Sequence, residues 1–258
     1  MSEGLYCYAI VRGVATEDLA DGIGIGEEPL RLVEEAGLGA VVSAVDLEEF
    51  GEEGLRRNLE DLAWLEKVAM THDRVSRHAS ERGPTAPLRL ATVFLGEDSL
   101  RAQLARWHDD AERALDRIEG RNEWSVKAYV DEAARPAAGE EEPSSSADGT
   151  GVGKAYLLRR RAEAQRREAA AQADAATAEA IHAALATVSV SGRRLAAQDR
   201  KLTGHTGEMI LNGTYLVDQE KVAAFKEAVD RIAGSHSHVR VELGGPWPPY
   251  SFASLDLT

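Results

Sequence analysis

Seven histidines and one cysteine are the side chains of this chain best suited to nucleophilic, acid–base or metal chemistry. His72 and His78 fall in one helical pattern six positions apart, about 600° around at 100° per residue, so they point in different directions and make no zinc pair. His236 and His238 would share a strand face, but no third ligand lies close in sequence, and Ser235-His236-Ser237-His238 reads as a polar turn. Cys7 sits inside the apolar run Leu5-Tyr6-Cys7-Tyr8-Ala9-Ile10-Val11, where a thiol is a small buried hydrophobe rather than a nucleophile. The acidic groups Glu52-Glu53, Asp109-Asp110 and Glu140 to Glu142 fall in loops or on polar helix faces, with nothing to turn them into a shared pocket.

Two glycine-rich stretches imitate phosphate loops and fail on chemistry. Gly22-Ile23-Gly24-Ile25-Gly26 has the spacing GxGxG, not GxGxxG, and Glu27-Glu28-Pro29 follows it where a pyrophosphate and a helix N-terminus would be needed; it reads as a flexible turn. In Gly149-Thr150-Gly151-Val152-Gly153-Lys154, Asp148 replaces the first glycine, Ala155 replaces the magnesium-binding hydroxyl, and no buried strand comes before. No nucleophile elbow occurs. The sequence therefore predicts no catalytic residue, no cofactor and no metal site, and a non-enzymatic protein.

The elements around these residues read as α+β. Strands are expected at Leu5–Val11, Leu30–Val33, Ala40–Val45, Pro87–Leu95 and Trp124–Val130. A helix from Asn58 to Arg82 carries Leu62, Leu65, Ala69, His72, Val75 and Ala79 on one face, and a second from Ser99 to Glu119 carries Leu104, Trp107, Ala111, Leu115 and Ile118. Residues 1–131 thus form an N-terminal antiparallel-sheet α+β domain. Residues 132–153, rich in Ala, Glu, Pro, Ser and Gly, have no core-forming side chain and read as a flexible linker.

Residues 154–258 form the second domain. A long Ala/Arg-rich helix, Tyr156 to Ala186, has the stripe Leu158, Ala162, Ala169, Ala173, Ala176, Ala180 and Leu185. Strands follow at Val188–Ser191 and Met209–Val217, then a helix from Gln219 to Ala233 capped by Asp218, with Val222, Phe225, Val229 and Ile232 inward. Strand Val239–Leu243 closes the order, which is that of a ferredoxin-like sandwich lacking its first strand. It runs into Gly245-Pro246-Trp247-Pro248-Pro249-Tyr250-Ser251-Phe252, which packs three of the eight prolines and three aromatics into seven positions. Each proline fixes φ and removes a donor, so this is a stiff strap that cannot lie in a central strand. The strap reads as a lock on its own sheet or over the interface with the first domain; a buried Trp247 ring would make Trp247→Ala cost roughly 3–5 kcal/mol.

Charge bounds the partners. The net charge is −14, which argues against nucleic acid. Residues 154–201 carry ten Lys/Arg and five Asp/Glu, a net of +5, which leaves −19 on the rest. Arg159, Arg160, Arg161, Arg166 and Arg167 are the candidate partner-binding residues of this basic segment. No run of 18 apolar residues and no signal-peptide pattern occurs, so neither membrane insertion nor export is expected, and the cytoplasm is the expected location.

Four stretches together resemble the gas vesicle protein F/L family: Tyr6-Cys7-Tyr8-Ala9-Ile10, Pro87 to Phe94, Met209 to Val217 and, most specifically, Gly245 to Phe252. Ala91 stands where family members often have Gly. The resemblance implies an N-terminal α+β domain, a modified ferredoxin-like C-terminal domain with extra helices, and a cytoplasmic accessory role in gas vesicle formation. It further implies binding of the hydrophobic shell protein and other accessory proteins during nucleation or assembly, with no catalytic residues. The rival reading is a ferredoxin-like small-molecule-sensing or regulatory module. Gly245, Pro246, Trp247, Pro248, Pro249, Tyr250 and Phe252 carry the family motif.

Overall fold

The computed structural model describes residues 3–131, 152–198 and 207–253. The linker lies almost wholly outside the described residues, as does the first half of the second phosphate-loop imitation, whose Val152, Gly153 and Lys154 open a helix. The chain divides into two units: one is the chain up to Trp124 together with the segment from Gly245, the other is Ser125–Gly244.

In the first unit β1 (Glu3–Val11) is the organising strand, with β2 (Arg31–Glu35), β3 (Leu38–Asp46), β4 (Thr85–Pro87) and β5 (Val93–Phe94) around it. The sheet order is β2-β3-β1-β4, with β5 also on β1, and every pairing is antiparallel. A strand with neighbours on both edges and helices packed on it has no solvated side, which is why Leu5–Val11 reads as an unbroken apolar run and is buried throughout. The β1–β3 register shifts between Cys7 and Ala9. That bulge reverses the alternation, so Ala9 and Val11 join the same core as Tyr6 and Tyr8.

Helices α1 (Leu47–Phe50), α2 (Glu52–Asn58), α3 (Leu62–Ser80) and α4 (Glu97–Ile118) complete the unit, and α3 and α4 both contact β1. The helix expected from Asn58 starts instead at Leu62, because the Asp61 carboxylate accepts the N–H groups of Ala63 and Trp64 and caps α3 there; α2, which local spacing did not predict, ends at Asn58. Its buried face is Val68, His72, Val75, Ser76 and Ala79, while Leu62 is exposed. All five expected α4 positions are buried, joined by Leu100 and Ala114.

The strand expected over Pro87–Leu95 is broken. β4 ends at Pro87 and β5 begins at Val93. Between them Ala91 turns into the left-handed region at φ +61°, and its N–H donates to the Tyr6 hydroxyl at 3.0 Å.

The second sheet has the order β7-β8-β6-β9, from β6 (Arg121–Val130), β7 (Ser191–Arg194), β8 (Glu208–Asp218) and β9 (Val239–Trp247). Helix α5 (Val152–Ala186) follows β6, and α6 (Val222–Ser235) follows β8. β6, expected as the last strand of the N-terminal domain, is hydrogen-bonded between β8 and β9 in this sheet. β7 begins at Ser191, later than the strand expected from Val188. β9 is an edge strand, which is how it tolerates Pro246. Asp218 makes no cap; a turn of 3-10 helix intervenes, and its carboxylate takes Lys221 Nζ at 2.8 Å.

The centre of this unit is Tyr215, fully buried. It is 5.6 Å from the Phe225 ring between centroids and hydrogen-bonded to His182 Nδ1 at 2.9 Å. Gly192 lies opposite it in register, where an added Cβ would stand 3.0 Å from the ring. On α5 the buried positions are Ala178, Ile181 and Leu185. The expected stripe is therefore displaced: of its seven members only Leu185 is buried, and Leu158, Ala162, Ala169, Ala173, Ala176 and Ala180 are exposed. Alanine at helical spacing follows helix propensity as readily as burial, so the pattern misled.

Candidate functional site

Two features carry the residues singled out by sequence: a clasp formed by the ending in the first unit, and an exposed arm on α5 in the second.

The clasp begins at Gly245, at φ +125°. An added Cβ there would stand 3.0 Å from the Glu123 carbonyl and 3.1 Å from the Trp124 ring, so this close approach needs glycine. The Pro246 carbonyl accepts from Arg77 Nη1 at 3.3 Å, and the Arg77 guanidinium lies over the Trp247 ring, 4.7 Å from its centroid. Trp247 itself is 40% exposed. Pro248 and Pro249 are buried, and a turn closed by Phe252 N–H to the Pro249 carbonyl at 3.0 Å delivers Phe252 to a site where it is 1% exposed.

Polar groups hold the clasp at three points. Ser251 donates both its N–H, at 2.8 Å, and its hydroxyl, at 2.6 Å, to the two oxygens of Glu123. Tyr250 donates to Asp73 at 3.4 Å, and Asp73 also takes Arg77 at 2.9 Å. Arg117 donates to the Phe252 carbonyl at 3.4 Å. Sequence reasoning missed Asp73, Arg77, Arg117 and Glu123, since partners more than 100 residues distant leave no mark on local spacing.

Beneath the clasp lies an aromatic and polar cluster. His72 is 6.3 Å from Tyr250 and 5.8 Å from both Tyr6 and Tyr8, between ring centroids. The Tyr6 hydroxyl, which accepts from Ala91, donates to His72 Nδ1 at 3.1 Å. The Tyr8 hydroxyl accepts from the Ile25 N–H at 2.8 Å and bonds Ser43 at 2.7 Å. The middle glycine of the first run is thereby explained: Gly24 is pressed against this pair, where a Cβ would stand 2.7 Å from the Tyr8 oxygen.

Burial sets the protonation of the cluster. It drives His72 down to about 4, opposed by the Leu88 backbone and the Asp73 charge. It raises Tyr6, and it pushes Tyr250 up to about 12 and Cys7 up to about 12. A thiol so held is neutral at physiological pH and is no nucleophile.

Among the described residues the remaining histidines do not assemble a site. His78 faces Asp21 at 3.2 Å on the wall of a cleft of about 570 Å³. His236 bonds the Ile232 carbonyl at 3.0 Å, and its ring centroid is 6.5 Å from that of His238. Among the described residues no group of three His, Cys, Asp or Glu side chains is arranged around a metal position, and no helix is long and apolar enough to cross a membrane.

The α5 arm is different in kind. The C-terminal part of this helix packs on β7, β8 and α6, but residues 156–169 are exposed without interruption. Arg159, Arg160, Arg161, Arg166 and Arg167 all lie there. Arg167 pairs with Glu163 one turn before it at 2.8 Å; the other four have no ion pair among the described residues. Ahead of them stand Tyr156, Leu157 and Leu158, all exposed.

The sequence matches the family described as gas vesicle synthesis protein GvpL/GvpF over residues 4–254. It is 40% identical to gas vesicle protein L of Streptomyces sp. strain CB03234 over 253 residues, 97% of this chain and 92% of that protein. Gas vesicle protein F of the same strain is 26% identical, covering 96% and 98%. Among solved structures, gas vesicle protein GvpF from Anabaena sp. PCC7120 superposes with a TM-score of 0.69 at 20% identity, over 99% of this chain and 98% of that one. GvpF from Microcystis aeruginosa gives 0.64 at 20% identity, over 98% and 99%. These likenesses run from end to end and include both sheets and the ending, and the chain belongs to the gas vesicle GvpL/GvpF family.

Proposed function

We propose that this protein is a non-enzymatic, cytoplasmic accessory factor of gas vesicle formation. It binds the hydrophobic shell protein, together with other accessory proteins, during nucleation or assembly. An apolar shell subunit released free would aggregate, and an acidic binder masks it until it is built in. The identity of 40% to an L protein, against 26% to the F protein of the same strain, supports an L-type role. The second unit supports a ferredoxin-like description: its strand–helix–strand–strand–helix–strand order with sheet order β7-β8-β6-β9 is that arrangement.

The observation that carries the binding role is the uninterrupted exposure of residues 156–169, with three apolar and five basic side chains on a helix that has no core beneath it there. A helix left polar and apolar on all sides is either propped by internal ion pairs or kept for a partner. Only one such pair, Arg167 to Glu163, is present in this stretch.

The test is co-purification of shell protein with the tagged full chain. Retention by the wild type, reduced about tenfold by Arg159→Glu/Arg160→Glu/Arg161→Glu, is the expected result. No retention by the wild type refutes shell binding, and undiminished retention by the variant removes the arm from it.

A further inference from the structure

The chain also carries a surface complementary to its own arm. Residues 156–169 hold five arginines and two glutamates, a net of +3. In the first unit, residues 47–66 hold seven carboxylates and two arginines, a net of −5. Within that acidic stretch Glu53, Glu60 and Glu66 are exposed, and none of them has an ion pair among the described residues.

Charge alone would not mark a contact, since a run of carboxylates is ordinarily solvated. Here the acids surround exposed apolar side chains. Leu62 is 79% exposed and Met70 is 67% exposed. They flank Glu66 at positions i, i+4 and i+8, on one face of α3, with Leu59 exposed just before. The arm offers the mirror composition, with Leu157 67% exposed beside Tyr156 and Leu158 and the four arginines that have no ion pair following. Both surfaces combine an apolar contact with a charged rim of opposite sign, which is the anatomy of a protein interface.

We propose that the α5 arm of one copy docks on the acidic, leucine- and methionine-bearing α2–α3 surface of a second copy. This rests on the same reading of the arm as a docking surface and names its occupant when shell protein is absent. The contact joins two different patches, so it either closes reciprocally into a two-fold, isologous dimer or repeats head to tail as a heterologous ring or chain. A 14-residue arm is about 21 Å long, which sets the contact at the small, weak end of interface sizes. Since the whole chain carries −14, distant repulsion opposes association at low salt, while at physiological salt screening over about 8 Å leaves the local match in charge.

The experiment is sedimentation of the full chain from about 1 to about 100 µM, the range of weak complexes, with two triple variants. Arg159→Glu/Arg160→Glu/Arg166→Glu reverses the arm; Glu53→Arg/Glu60→Arg/Glu66→Arg reverses the surface. All these side chains are exposed, and unchanged circular dichroism verifies the fold. The wild type is expected to associate in a concentration-dependent way, each variant alone to weaken association about tenfold or more, and an equimolar mixture of the two to recover it. A wild type that stays monomeric overturns the proposal, as does an arm variant that associates like the wild type, or a mixture that fails to recover. The outcomes separate from those for shell binding. A surface variant that loses self-association yet retains shell protein leaves both proposals standing. A monomeric wild type that captures shell protein, or an acidic helix of another protein, sinks this one alone.

Discussion

Glu123 and Ser251, 128 positions apart, meet through two bonds, the Ser251 N–H and hydroxyl each donating to one carboxylate oxygen at 2.8 and 2.6 Å. Glu123 is 8% exposed. A buried carboxylate is costly unless its lone pairs are occupied, and the ending occupies them. This pair is one of the contacts that fix where the strap lies.

Ser251→Ala is therefore expected to cost about 1–2 kcal/mol and Glu123→Ala about 2–3 kcal/mol, the range for hydrogen bonds to charged groups. Urea unfolding of the full chain reads both. Losses below about 0.5 kcal/mol would show that the carboxylate is equally well served by water.

The two aromatics at either end of the clasp should separate. Phe252, 1% exposed, is the anchor, and Phe252→Ala is expected to cost about 3–5 kcal/mol. Trp247 is 40% exposed under Arg77, so Trp247→Ala is expected to cost only about 1–2 kcal/mol, less than the roughly 3–5 kcal/mol that a buried ring would imply. The order of the two denaturation midpoints decides it, and the reverse order would refute this assignment.

Ala91 is the departure from the family's frequent Gly that the structure makes meaningful. At φ +61° an L side chain is strained by about 1–2 kcal/mol. Glycine there gains that back but loses about 0.5–1 kcal/mol through the unfolded chain. Ala91→Gly is expected to stabilise by about 0.5 kcal/mol and Ala91→Val to destabilise by more than about 1 kcal/mol, read from urea midpoints. A destabilising Ala91→Gly would contradict the left-handed turn.

The buried His72 predicts an acid limb of stability. Its folded value, about 4, lies below the ordinary 6.5, so between those values the unfolded chain binds the proton more readily. Stability is full above pH 6.5 and falls as the pH drops toward 4, by up to about 3 kcal/mol from this residue. His72→Gln, which cannot titrate, is expected to flatten that limb while lowering the plateau. Urea midpoints for both proteins at pH 7, 6, 5 and 4.5 test it; parallel curves would assign the limb to other groups.

The sequence by itself determined what local spacing controls. The apolar run of β1, the five-residue stripe of α4, the α+β class and the family resemblance are all legible there. The family rests on a resemblance of four stretches, and the others follow from a period or from the fixed chemistry of a residue type.

Only the tertiary structure decided destinations. β6 reads as a strand in either unit, and long-range pairing alone placed it between β8 and β9. The inward face of α5 passed to Ala178, Ile181 and Leu185 because alanines at helical spacing serve propensity and burial alike. The strand after Pro87 broke at Ala91 because the Tyr6 hydroxyl, 85 residues away, takes its N–H. The ending reads from its prolines as stiff and from its aromatics as an anchor, but its partners Asp73, Arg77, Arg117 and Glu123 are distant in sequence. No local rule could name them, since they are selected by which polar groups of the first unit lie within hydrogen-bonding reach of the ending in the folded chain.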